Sequence, residues 1–100
     1  MLQIDFGLTE TGLQAVEVWK RHNDNANLRN IELRIGDSDV TGQGTATFIT
    51  DNEFCAEFEG PTSYPIETVF CTHPLDGRYL TLQSMTHYFA IDEIYVFRKL

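Results

Sequence analysis

One hundred residues make a single domain, able to bury roughly two-thirds of its extended-chain surface around one core. Apolar side chains at 42% against 22% charged ones exclude an intrinsically disordered chain. Fifteen acidic and seven basic residues, a net charge of −8, speak against nucleic acid and anionic membranes, which recruit an excess of Lys and Arg.

The chain opens on Leu2 to Phe6, where Leu2, Ile4 and Phe6 alternate with Gln3 and Asp5, the period of a half-buried strand. Its first residues, MLQIDFG, show neither the basic nor the apolar region of a signal peptide. Leu13 to Trp19 could begin a helix, but Thr11-Gly12 before it and Val16-Glu17-Val18-Trp19 within it favour strand. The stretch WKRHNDNANLRNI follows, longer and more polar than the roughly two to six residues that most strand connections need. Ile31, Leu33 and Ile35 then alternate with Glu32 and Arg34, the clearest strand in the chain.

DSDVTGQGT reads as a loop broken by Gly42 and Gly44. Ala46 to Thr50 and Glu53 to Phe58 are two strands, or one strand bent at Asp51-Asn52. Beyond the EGPTSYP turn, Ile66 to Cys71 is strand again, and His73 to Gly77 has the Pro and Asp-Gly of a turn. Tyr79 to Leu82 and Ile91 to Phe97 complete seven or eight short strands. Short strands at this spacing, with no stretch of about 18 apolar residues, predict an all-β antiparallel sandwich or barrel.

Catalytic constellations are missing from the pattern. Ser38, Ser63 and Ser84 sit in no Gly-x-Ser-x-Gly elbow, and His22, His73 and His87 lack the short spacing of paired metal ligands. The expectation is a protein that is not an enzyme. Asp37, Asp39 and Gly42 match positions one, three and six of a calcium loop, but Phe48 stands where a bidentate glutamate is required, so a solvated loop explains them better. Cys55 and Cys71 flank a turn-rich segment, which suits a disulfide across neighbouring strands; two buried free thiols are the alternative. Arg21 and Arg29 bracket Asp24 in the long connection, where a polar loop with incidental charges is the simpler reading and guanidinium forks held near a carboxylate, able to donate paired hydrogen bonds to a neutral polyol, the alternative.

LQIDFG, Val16-Glu17-Val18-Trp19, ELRIGDS, two cysteines ahead of GRYLTLQ, and finally AIDEIYVF follow one order over nearly the whole chain. That order resembles the F-type lectin (fucolectin, or tachylectin-4-like) family, a branch of the discoidin-like, galactose-binding-like β-sandwiches. The resemblance implies a single domain over residues 1–100, a discoidin-like jelly roll lacking the first part of the family fold. It implies a secreted protein that binds fucosylated glycans or glycoproteins without catalysis, as part of an oligomer or of a multidomain chain. A discoidin-like protein- or lipid-interaction module without sugar binding is the alternative.

The family's sugar motif ends Arg-x-Asp-x4-Arg/Lys. Asp24 and Arg29 fit that ending, with Asp24 orienting the arginines, while Arg21 stands one position early. The two cysteines that usually follow the aspartate and pack on the sugar are Asn25 and Ala26 here, so an apolar platform is lost. The segment implied to be missing would hold the sugar-binding histidine and most of a calcium loop. Of the family's calcium ligands, Glu93 alone has a counterpart here.

Overall fold

The computed structural model describes residues 2–20, 30–41, 50–60, 66–84 and 91–98. All five elements in it are strands: β1 (Leu2–Lys20), β2 (Ile31–Gly36), β3 (Glu53–Phe58), β4 (Ile66–Ser84) and β5 (Ile91–Arg98). They form one antiparallel sheet in the order β3-β2-β4-β1-β5. The fold is all-β and antiparallel.

Fewer and longer strands replace the seven or eight short ones expected. Leu2–Phe6 and Leu13–Trp19 are parts of one nineteen-residue strand, β1, and the expected turn at His73–Gly77 lies inside β4. The ladder survives there because Leu13 pairs with Leu75 and Glu10 with Gly77, while the surplus residues are taken up as bulges. Gly7 and Gly12 give β1 its positive φ angles, and Gly12 N–H donates to the Asp76 carboxylate at 2.9 Å. Of the strand expected at Ala46–Thr50, Thr50 is outside any strand and the rest lies outside the described residues.

Both long strands must bend. Nineteen extended residues would span about 60 Å, yet the longest dimension of the molecule is 34 Å. The bend falls between Asp5 and Ala15 on β1, where the register slips three times. On one side of it, Leu2–Asp5 and Tyr79–Leu82 pair beside β2 and β3; on the other, Ala15–Trp19 and Ile66–Phe70 pair beside β5. The sheet is thereby folded over on itself into two layers. Val16 and Val18 from one layer and Ile31, Leu33, Ile35, Leu80 and Leu82 from the other fill the interior.

The alternation read from Ile31-Glu32-Leu33-Arg34-Ile35 is what the interior uses: the three apolar residues are 2%, 1% and 0% exposed. β3 breaks its own alternation at a bulge. Leu33 pairs with Ala56 and Arg34 with Phe54, so Cys55 is the surplus residue and is turned inward beside Ala56. There Cys55 is bonded to Cys71 at the bend of β4, with the two Cα atoms 4.2 Å apart. The bond ties edge strand β3 to the layer beyond the bend.

Candidate functional site

One end of the folded sheet gathers the places where the chain leaves it. Lys20 pairs with Ile91 and Trp19 with Ile66, while Ile31 lies between Phe58 and Ser84. The connections 21–29, 59–65 and 85–90 therefore all join strands at this end. The end of β1 and the start of β2 lie in different layers: among the described residues the last residues of β1 pair with β4 and β5, and β2 with β3 and β4. Asn30 fixes the far root of the first connection: it takes a positive φ of 53°, and its N–H donates to the Glu59 carbonyl at 3.0 Å.

Arg21, Asp24 and Arg29, the residues expected to read a sugar, lie outside the described residues, between Trp19 and Asn30. Around the near root the outward row of the layer is described. Trp19 Nε1 donates to Glu17 at 2.6 Å, and the Trp19 ring meets Tyr95 edge-on, with centroids 6.1 Å apart. Tyr95 O–H in turn donates to Glu93 Oε2 at 2.9 Å, and this bond with the nearby negative charge raises the Tyr95 pKa. Glu93, the expected calcium ligand, is exposed and holds this phenol. Among the described residues no three His, Cys, Asp or Glu side chains gather where a metal ion could sit.

The aromatic row runs further along this layer. Ala15 pairs with Phe70 on one side and Phe97 on the other, and these rings are 67% and 47% exposed. Ile94-Tyr95-Val96-Phe97 is an unbroken apolar run, which by pattern alone reads as a strand buried on both faces. In the fold Ile94 and Val96 pack against the core while Tyr95 and Phe97 face out. The face of the other layer that points away from this core is polar instead, and it is covered: Thr81 and Gln83 are 4% and 5% exposed. There Gln3, Thr81 and Arg34 share a row, and Arg34 is held by Glu32 and donates to the Asn52 carbonyl at 2.8 Å.

The opposite end of the fold carries an acidic cluster closed on itself. Arg78 grips Asp5 with two bonds of 2.7 and 2.9 Å, and Gly7 N–H adds a third at 2.8 Å. These donors, the guanidinium first, bring the Asp5 carboxyl down from 3.8 to about 2. Asp37 accepts from Thr9 O–H and from Arg78 N–H, and Asp39 from Gln3 and from both donors of Thr41. The Gln3 amide, then Thr41, lower the Asp39 pKa. Asp37 and Asp39 lie in an exposed loop, as expected, and tie that loop to β1 and β4.

An open groove of about 430 Å³ runs between the first part of β1 and β5. Ile4, Phe6, Leu13, Ile94 and Val96 line it, and the Glu10–Arg98 ion pair closes one flank. Chemically, then, the loop-bearing end offers aromatic faces beside carboxylates, the groove offers apolar surface, and the acidic end has its carboxylates engaged by donors of the same chain. No helix among the described residues is long and apolar enough to cross a membrane. In comparison with known proteins, no family model matches the chain, and neither a curated protein nor a solved structure matches it.

Proposed function

We propose that the protein is a non-catalytic carbohydrate-binding module of the F-type lectin kind. It takes fucose on glycans or glycoproteins through Arg21 and Arg29, with Asp24 holding the guanidinium groups. The observation that carries this reading is the Trp19–Tyr95 pair with Glu17 and Glu93, set at the root of the connection that contains the arginines. An aromatic face attracts the C–H side of a sugar ring, and a carboxylate has about four acceptor positions, of which each glutamate uses one among the described residues. Such a pair replaces the apolar platform lost at Asn25 and Ala26.

The disulfide fits an oxidising compartment, and with it an extracellular place of work. The described surroundings of Glu93 do not fit calcium, which takes about six to eight oxygen ligands, and the reading does not need it. Single sites for neutral polyols are weak, since the hydrogen bonds gained replace those lost to water. A glycan array followed by titration with free fucose tests the reading. Binding that disappears in both Arg29→Ala and Trp19→Ala supports it, and no fucose signal at millimolar sugar ends it for this chain.

A second reading, a discoidin-like module that binds a protein or a lipid, draws on the exposed aromatic face of Phe70 and Phe97. It predicts binding that survives Arg21→Ala and Arg29→Ala and is lost in Phe70→Ser.

A further inference from the structure

In the layer that carries the exposed aromatic rings, strand pairing fixes which outward residues are neighbours. Glu17 stands opposite Tyr95, Trp19 opposite Glu93, and Ala15 between Phe70 and Phe97. Glu93, Tyr95, Phe97 and Phe70 are exposed, and Glu17 and Trp19 are partly exposed. The charged side chains of this set, Glu17 and Glu93, are both carboxylates. Arg98 belongs to the other row of β5, beside Ile94 and Val96, and pairs there with Glu10.

Four of these residues form a checkerboard. Each strand carries a glutamate and then a ring two positions on, and antiparallel pairing sets the carboxylates on one diagonal and the rings on the other. Diagonal neighbours of this kind lie about 7–8 Å apart along the backbone, and the Trp19 and Tyr95 ring centroids are 6.1 Å apart. Both ring donors are used inside the checkerboard, Trp19 Nε1 on Glu17 at 2.6 Å and Tyr95 O–H on Glu93 at 2.9 Å. These bonds fix the four side chains but cancel neither negative charge.

An ammonium or guanidinium group answers both features at once. It is attracted to a ring face within about 6 Å of the centroid, and it forms charge-assisted hydrogen bonds with carboxylates. A neutral sugar meets the carboxylates as acceptors only. The net charge of −8 adds a longer-range attraction for cations.

Size selects the kind of partner. Three strands about 4.8 Å apart, over five residues of about 3.4 Å each, give a face on the order of 250 Å². A stable interface between globular proteins takes roughly 800 Å² from each, so this face suits a short extended segment. Side chains two positions apart in such a segment point the same way. With a cation over the checkerboard, the next side chain on that side reaches the row of Phe97, Ala15 and Phe70.

We propose that this face binds an extended segment of a partner protein that carries a lysine or arginine two positions from an apolar residue. The cation stands against Trp19 and Tyr95 between Glu17 and Glu93, and the apolar side chain rests on Phe97 and Phe70. The inference builds on the reading of a protein-binding module and names the chemistry of its partner. It uses neither Arg21 nor Arg29, so a blank glycan array leaves it standing.

Trp19 is the single tryptophan of the chain, so its fluorescence reports occupancy. The probe is the peptide acetyl-Lys-Ser-Leu-Ser-Lys-Ser-Leu-amide, compared with the same peptide carrying norleucine at both lysines. The lysine peptide is expected to saturate below millimolar concentration and to bind at least about tenfold more tightly than the norleucine one. Added salt weakens it. Glu17→Gln/Glu93→Gln keeps an acceptor for each ring donor and loses the preference for lysine, with circular dichroism showing that the sheet is retained. No saturation up to millimolar peptide, or an unchanged preference in the double variant, overturns the inference. Equal affinity of the wild type for the two peptides also overturns it, while sparing the broader reading of a protein-binding aromatic face. A stronger response to phosphatidylcholine vesicles than to the lysine peptide assigns the face to a choline headgroup and overturns the peptide partner.

Discussion

Gly36 and Gly77 touch backbone to backbone: a Cβ placed on Gly77 would lie 2.6 Å from the Gly36 Cα. The contact seats the end of β2 against β4 beside the bend, where Asn52 also packs. A Cβ on Gly36 would meet the Asn52 side chain at 2.2 Å, and that amide is already committed to the N–H and carbonyl of Ser38, both at 3.0 Å. Gly36→Ala is therefore expected to cost at least about 2 kcal/mol, and Gly77→Ala more, since backbone yields less than a side chain. Urea denaturation of the two variants against wild type checks the order; a neutral Gly77→Ala would show that the approach is looser than described.

The disulfide joins β3 to the bend of β4 across a separation of 16 residues. Closing such a loop restricts the unfolded chain by roughly 3 kcal/mol. Melting with and without reductant should show a large loss of stability on reduction, and Cys55→Ala/Cys71→Ala should reproduce it. If reduction leaves the midpoint unchanged, the layers are held together by the core alone.

Asp5 supplies a pH dependence whose sign is fixed. Its folded pKa lies below the ordinary value, so its contribution is complete above pH 3.8 and is lost as the pH falls towards about 2. Asp39 adds to the same acid limb, because its pKa is also lowered. Stability measured across this window should fall more steeply in wild type than in Asp5→Asn. Parallel curves would mean that the Arg78 bridge is not kept in solution.

The two kinds of apolar residue in this sheet should respond differently to truncation. Leu33 is 1% exposed in the core between the layers, and Leu33→Ala is expected to cost about 2–5 kcal/mol. Phe70 is 67% exposed, and Phe70→Ser should stay within about 0.5 kcal/mol of wild type. A large loss at Phe70 would reveal a covered face.

The sequence by itself determined the strand chemistry. Alternation at Ile31, Leu33 and Ile35 names the buried face of β2, and β-branched and aromatic residues at Val16–Trp19 decide strand over helix, because side chains on a pleat answer to a period of two. It also offered Cys55 and Cys71 as a pair, though only the bulge that turns Cys55 inward makes the bond possible. Tertiary structure decided the rest. His73–Gly77 has every mark of a turn, yet pairing with β1 holds it within a strand, since ladder hydrogen bonds outweigh local preference. Ile91–Phe97 reads as a strand, and only the fold decides that Ile94 and Val96 face the core while Tyr95 and Phe97 face out. Which end of the fold carries the long connection depends on where two nineteen-residue strands bend, a property of non-local register that no local pattern records.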